Sequence, residues 1–363
     1  MNTAYSNPSP IWPEISPVIK YLINKNKYEI RFVSTQMYRS QLIVLAAIMI
    51  LSLLWGSSFI AIKIVVDEVQ PLAAFGMRFF IAGLLLLAVH YILHHAIYDR
   101  SNNTANYHHI QIKNRQLWKS WILSALFFIV GGQGLLAMGA QYLSSGATAL
   151  INSTIPIWVA VFMLVFFSKK PTRLSLTGII AGFIGLIILV LPTIENGESS
   201  WVGIVFLIIS SISWAVGSLY SKPTSAVGTE RAILLPTGIF MSLGGIVLLA
   251  ISVFTSGEEI WTLKVLFSPT NNVLLSFLFL TLICTAIGYA IFYWLLGTTT
   301  PSLANTFAYI VPVIAVFLGW AILDESITTQ TLIATSIISA GVAMMIIRPS
   351  PIKINRQRTS QKD

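Results

Sequence analysis

Three cations stand in or beside long apolar runs: Lys63, Arg78 and Lys222. A charged side chain is expensive in a bilayer, so residues of this kind default to an ion or substrate path. Lys63 closes the stretch Trp55-Gly-Ser-Ser-Phe-Ile-Ala-Ile-Lys63. The same tryptophan-to-lysine spacing returns 159 residues later in Trp214-Ala-Val-Gly-Ser-Leu-Tyr-Ser-Lys222. On a helix, Trp55, Phe59 and Lys63 share a face, as do Trp214, Ser218 and Lys222. The chemistry this allows is recognition: ring faces close on an apolar body, and a cation draws in a carboxylate or phosphate.

Uncharged polar residues extend the set. Gln133, Ala137 and Gln141 form one helical stripe, and Asn152, Tyr289, Tyr293, Asn305 and Tyr309 lie inside other apolar runs. Such groups turn toward a bundle interior, either as inter-helix hydrogen bonds or as cavity lining. As a set they favour a cavity. Lys63 and Arg78 have other outlets: Asp67, Glu68, backbone carbonyls, or the outer surface by snorkelling. No Asp or Glu falls near the centre of an expected span, so the usual intramembrane proton carrier is missing. Glu325, at the outer end of a span, is the nearest candidate for coupling, and facilitated or exchange movement stays open.

No nucleophile–base pair and no metal-ligand set emerges, so neither enzyme chemistry nor a cofactor or metal is expected. His90, His94, His95, His108 and His109 lack a fixed helical spacing or accompanying carboxylates and read as a polar loop and its approach. The single cysteine, Cys284, excludes an intrachain disulfide and reads as a small buried side chain.

The elements that must position these residues are membrane helices. Of 363 residues, 55% are hydrophobic and only 10% charged, against about 25% charged in a soluble domain. Ten runs approach the roughly 20 residues that cross a hydrocarbon core. They cover 42–66, 71–93, 119–141, 146–168, 174–192, 202–221, 231–254, 273–297, 302–323 and 329–347. The expected fold is therefore an all-α integral membrane protein. Residues 1–41 form a polar, proline-dotted tail, expected to be disordered or loosely membrane-associated. Met37-Tyr-Arg-Ser-Gln has the form of a bacterial start and makes Met37 a candidate translation start beside Met1.

Basic residues concentrate on the cytoplasmic side of membrane proteins. With both termini inside, the inner segments collect Arg100, Lys113, Arg115, Lys119, Lys169, Lys170, Arg173, Lys222, Arg231 and the bases of both tails, 348–363 included. The outer loops hold only Lys264 among bases, alongside eight acidic residues. The net charge of +9 is thus a topology signal, and no nucleic-acid partner is expected. The expected partners are the bilayer and a small-molecule substrate, in a monomer or homodimer.

A second echo runs at an offset of 156. Gly146-Ala-Thr-Ala-Leu-Ile-Asn-Ser-Thr-Ile-Pro156 faces Ser302-Leu-Ala-Asn-Thr-Phe-Ala-Tyr-Ile-Val-Pro312, and Gly185 falls on Gly341. Pro156 and Pro312 each free a helical carbonyl about one turn earlier and are candidate hinges. The offsets divide the chain into five spans over 42–192, a linker 193–201, and five spans over 202–347. An odd number of spans per copy inverts the second copy. Inverted repeats of this kind are a transporter architecture.

In order and spacing, the chain resembles the EamA type of the drug/metabolite transporter superfamily. The residues that carry this are Trp55 to Lys63, Pro71 with Met77-Arg78-Phe79-Phe80, Ala140-Gln-Tyr142, the Pro156 and Pro312 segments, and Leu323-Asp-Glu325. The resemblance implies a ten-helix inner-membrane carrier with a central cavity, whose relatives commonly export amino acids, other metabolites or toxic compounds. Such relatives often end span four in Gly-Glu, where this chain has Ser168-Lys169-Lys170. A nucleotide-sugar or phosphorylated-metabolite exchanger shares the architecture but calls for more cations deep in the cavity. A non-transporting membrane sensor leaves the duplication without a purpose.

Overall fold

Backbone placed in hydrocarbon has no water to bond with and must satisfy its polar groups within its own segment. Helices do this, and the described residues contain helix throughout and no strand. The computed structural model describes residues 17–98, 115–168, 172–195, 198–220, 233–256 and 270–346. It divides into two units, residues 1–46 and 47–363. Lys222, His108, His109, Lys169 and Lys170 lie outside the described residues.

In chain order the helices are α1 (Pro17–Glu68), α2 (Pro71–Tyr98), α3 (Arg115–Ser124), a π-helical segment Ala125–Gly134, and α4 (Leu135–Ala140). Next come α5 (Ser145–Asn152), α6 (Ile155–Phe167), α7 (Arg173–Glu195), α8 (Glu198–Tyr220) and α9 (Leu234–Ser256). The last group is α10 (Asn271–Leu278), a π segment Phe279–Ile287, α11 (Gly288–Thr298), α12 (Pro301–Ala304), a 3-10 turn Asn305–Tyr309, α13 (Val311–Leu323) and α14 (Thr329–Ile346). Among the described residues, seven helical stretches are long and apolar enough to cross a membrane: 41–68, 71–93, 115–140, 145–167, 201–220, 234–255 and 271–298. Two shorter apolar helices, Arg173–Ile188 and Val311–Leu323, accompany them.

Two expectations change. The tail is helical from Pro17 onward rather than disordered. Its prolines stop at Pro17, a residue suited to a first helical turn, and the following stretch to Gln41 contains no proline or glycine to break a helix. The prolines at 156 and 312 do not kink continuous helices either. The chain leaves helix at Ser153–Thr154 and through the 3-10 turn 305–309, then restarts with proline in the first turn of α6 and α13. There the missing N–H costs nothing.

The same irregularities recur in both parts of the chain. Ser144 Oγ accepts from Ala147 N at the start of α5, and Thr300 Oγ, 156 residues later, accepts from Leu303 N. Ser168 (φ 52°) and Asp324 (φ 54°), again 156 apart, end α6 and α13 in the left-handed conformation. That conformation costs an L-residue roughly 1–2 kcal/mol, so its recurrence at both helix ends is a shared design of the turn.

Small residues set the closest helix contacts, as expected where dispersion rather than water drives association. Helix α2 lies against α9 through Gly76, Gly83, Gly238 and Gly245, and α7 against α14 through Gly178, Gly182, Gly185 and Gly341. A Cβ at Gly341 would stand 2.8 Å from Gly178 O and 2.9 Å from Gly182 N.

Candidate functional site

The centre of the 47–363 unit is a cluster of aromatic rings built around Trp55. Its ring lies 5.5 Å from Trp214, 5.4 Å from Tyr289, 5.4 Å from Phe292 and 4.6 Å from Phe307, centroid to centroid. Trp214 also meets Phe128 at 4.9 Å and Phe292 at 5.2 Å. Most of these pairs are tilted or edge-on, the geometry that ring quadrupoles favour. Tyr293 joins through Phe240, at 5.2 Å, and Phe79 meets Tyr289 at 5.5 Å.

Each tryptophan is fixed by its indole N–H. Trp55 Nε1 donates to Cys284 O at 3.0 Å, inside the second π segment. Trp214 Nε1 donates to Asn305 Oδ1 at 3.1 Å, and Asn305 Nδ2 donates to Ser218 Oγ at 3.1 Å and Pro301 O at 2.8 Å. Asn305 is fully buried, and these bonds engage both ends of its amide. A glycine makes room for each indole: a Cβ at Gly288 would stand 2.6 Å from Trp55 Nε1, and one at Gly132 would stand 3.2 Å from Trp214 Cε3. Gly132 and Gly288 are 156 residues apart, so each tryptophan rests on a glycine of the other half of the chain.

Lys63 and Arg78 have different surroundings. Lys63 Nζ pairs with Asp67 Oδ1 at 2.8 Å and lies 3.4 Å from the carbonyls of Ala140 and Gln141. It therefore ties the end of α1 to the end of α4. Arg78 is only 3% exposed. It starts seven residues into α2, about 10 Å along the axis. Its guanidinium carbon lies 4.7 Å and 4.8 Å from the ring centroids of Phe75 and Phe79, and Nε donates to Thr285 Oγ1 at 2.5 Å. Among the described residues no carboxylate pairs with it. Arg78 Nη1 and the Tyr289 hydroxyl are both buried without a hydrogen-bond partner.

Glu325 has structural work. Its carboxylate accepts from Ser145 N at 2.7 Å, Ser145 Oγ at 2.9 Å and Gly146 N at 3.2 Å. This caps the N-terminus of α5, where an anion is favoured. Glu325→Ala strips these acceptors and is expected to cost about 1–3 kcal/mol, read as a lower thermal unfolding midpoint of the purified protein.

Of the residues picked from sequence, Trp55, Trp214, Tyr289, Tyr293 and Asn305 come together in or against the ring cluster, and Arg78 reaches its edge through Phe79. Phe59 is buried in α1 one turn beyond Trp55, while Gln133, Asn152 and Tyr309 are half-buried. Phe128, Phe292, Phe307, Thr285 and the glycine pair 132/288 were not picked. The 156 offset that places Gln133 on Tyr289 also places Gly132 on Gly288, so that pair was available from the repeat. Among the described residues no group of His, Cys, Asp and Glu could hold a metal ion.

Apolar helices of membrane-crossing length around a buried aromatic and polar centre define a multi-pass membrane protein. The EamA-like transporter family profile matches this chain twice, over residues 42–191 and 201–347, and the chain belongs to that family. It is similar to the uncharacterized transporter YoaV of Bacillus subtilis, 26% identical over 83% of this chain and 96% of that one. It is also similar to the uncharacterized inner membrane transporter YedA of Escherichia coli K12, 29% identical over 85% of this chain and 92% of that one. A solved crystal structure shares the fold with a TM-score of 0.58 at 15% identity, covering 83% of this chain and 95% of the other.

Proposed function

We propose that this chain exports a small metabolite, such as an amino acid or a toxic compound, across the inner membrane by alternating access. The transported solute passes between two five-helix repeats of opposite topology. The observation that carries this reading is the crosswise seating of the tryptophans, Trp55 on Gly288 and Trp214 on Gly132. Each repeat thereby contributes a ring to the other's wall, as a two-fold relation requires.

The helix pairs support the same relation. Gly83 of α2 meets Ser242 of α9 while Gly245 meets Phe80, contacts that exchange under an offset of 162. Gly185 meets Ile338 while Gly182 meets Gly341, contacts that exchange under the 156 offset. The twofold family match has the same division. Counting the shorter apolar helices Arg173–Ile188 and Val311–Leu323, with Thr329–Ile346, alongside the seven long ones gives ten spans. With ten spans and the distribution of bases, both termini lie in the cytoplasm.

In this reading Trp55, Phe59, Gln133, Asn152, Trp214, Tyr289, Tyr293, Asn305 and Tyr309 line the path, which the ring cluster closes in the present conformation. The backbone breaks before Pro156 and Pro312 are the hinges at which the paired helices bend. Lys63 marks one mouth, with Lys222 as its counterpart in the repeated sequence, and the Glu325 carboxylate latches the start of α5. No catalytic step is assigned.

A resistance-and-excretion screen of an overexpressing strain tests the export reading. The expected result is a raised extracellular level of at least one metabolite and tolerance to its toxic analogues. Overexpression that shifts no excreted compound and no tolerance contradicts export. The exchanger alternative is disfavoured because Arg78 is the one cation buried in the described core, whereas phosphorylated solutes call for several.

A further inference from the structure

We propose that Arg78 anchors a single carboxylate of the transported solute, with the Thr285 and Tyr289 hydroxyls beside it and the rings around Trp55 receiving the solute's apolar body. The proposal rests on the transporter reading above and adds the charge class of its substrate.

Burying an ion is costly, and proteins offset the cost with an opposite charge and a full set of hydrogen bonds. Arg78 is 3% exposed, has no carboxylate partner among the described residues, and leaves Nη1 bare. Two phenylalanine faces and one hydroxyl compensate only in part. Lys63, on the same side of the repeat, shows the contrasting case of a cation satisfied by Asp67.

The repeat supplies a second contrast. The contacts between α2 and α9 exchange at an offset of 162, which sets Gly76 on Gly238 and Gly83 on Gly245. This places Arg78 on Phe240, a fully buried ring beside Tyr289 and Tyr293. The second copy builds the same helix without a cation. The charge is therefore not a requirement of the fold.

The surroundings fit one carboxylate. Tyr289 lies four residues beyond Thr285, so both hydroxyls emerge on one side of their helix, and the Tyr289 hydroxyl is buried without a partner like Nη1. A bare guanidinium nitrogen and a bare phenol together can donate to the two oxygens of a carboxylate. One positive charge neutralises a carboxylate, whereas a phosphate dianion would leave net charge in a water-poor core. Residue 284, next to Thr285, accepts the Trp55 indole through its carbonyl, so the anion site and the ring cluster share one π segment. Segments of this kind recur at functional positions in helices.

The test uses the full-length protein in lipid nanodiscs and a series of carboxylates from acetate to indole-3-propanoate. The central comparison is 3-phenylpropanoate against its uncharged amide and against phenyl phosphate. The expected result is that the acid binds wild type at least about tenfold more tightly than the amide or the phosphate. In Arg78→Met that preference disappears, while the empty variant unfolds at the same temperature as wild type or higher. Arg78→Lys retains a reduced preference. A merely structural arginine would show the reverse, a lower unfolding temperature with unchanged selectivity. Equal binding of acid and amide to wild type, acid binding that survives Arg78→Met, or failure of every carboxylate to bind wild type overturns the proposal. Flux of neutral solutes through wild-type proteoliposomes in any of those cases leaves the transporter reading standing.

Discussion

Trp55→Ala is expected to lower transport at least tenfold, with Tyr289→Ala following it closely. Trp55 touches four rings on three other helical stretches and donates one hydrogen bond to the second π segment. Truncation removes the surface on which the two halves meet. It also leaves a cavity, and large-to-small changes at such sites cost on the order of 3–5 kcal/mol. Folding must therefore be read separately, by size-exclusion behaviour and thermal midpoint. Milder variants divide the effects. Trp55→Phe keeps a ring and loses the bond to Cys284 O, worth about 1 kcal/mol. Tyr289→Phe removes a hydroxyl that is buried and unpartnered, so it should be neutral or slightly stabilising while slowing transport. Wild-type transport rates in folded Trp55→Ala and Tyr289→Ala would remove both rings from the path.

The second large effect concerns the helix pair α2–α9. A Cβ at Gly245 would stand 2.5 Å from Phe80 N and 2.8 Å from Gly76 O, backbone atoms with no rotamer to move. Gly245→Leu must therefore push the two helices apart. The expected destabilisation exceeds about 3 kcal/mol, seen as loss of the monodisperse folded species in detergent. Gly146→Ala is a useful control. Its Cβ would meet Val316 Cγ2 at 3.0 Å and Val316 Cα at 3.4 Å, a milder approach than that at Gly245, so a smaller loss is expected there.

The all-helical membrane class was legible because membrane helices advertise themselves: the apolar runs at 42–66 and 71–93 match the membrane-length stretches 41–68 and 71–93 within α1 and α2. The helical tail beyond Pro17 was obscured by grouping it with the prolines before it. The break in helix at Pro156 and Pro312 was only half legible, since proline in an apolar run fits a kink and a restart equally well. In the site, Trp55 and Trp214 stood out through their repeated context. Their seats on Gly288 and Gly132 did not, because a glycine's function there depends on which helix crosses it. Arg78 was visible as a charge. Its isolation was not, since sequence alone left Asp67, Glu68 and the outer surface as partners, and the structure gives Asp67 to Lys63 and Glu68 to Thr270. Glu325 read as a candidate for coupling, and its place as the cap of α5 required knowing that residues 180 apart are neighbours.

The central claim is that one site between the repeats faces each side of the membrane in turn. Counterflow tests it most directly. Proteoliposomes are preloaded with an unlabelled metabolite found in the excretion screen, and a trace of labelled metabolite is added outside. A carrier with one alternating site returns loaded with label while unlabelled molecules leave, so label should transiently accumulate inside above its equilibrium level. The overshoot should vanish in Trp55→Ala. Label that merely rises to equilibrium without overshoot, or that never enters, would contradict the account.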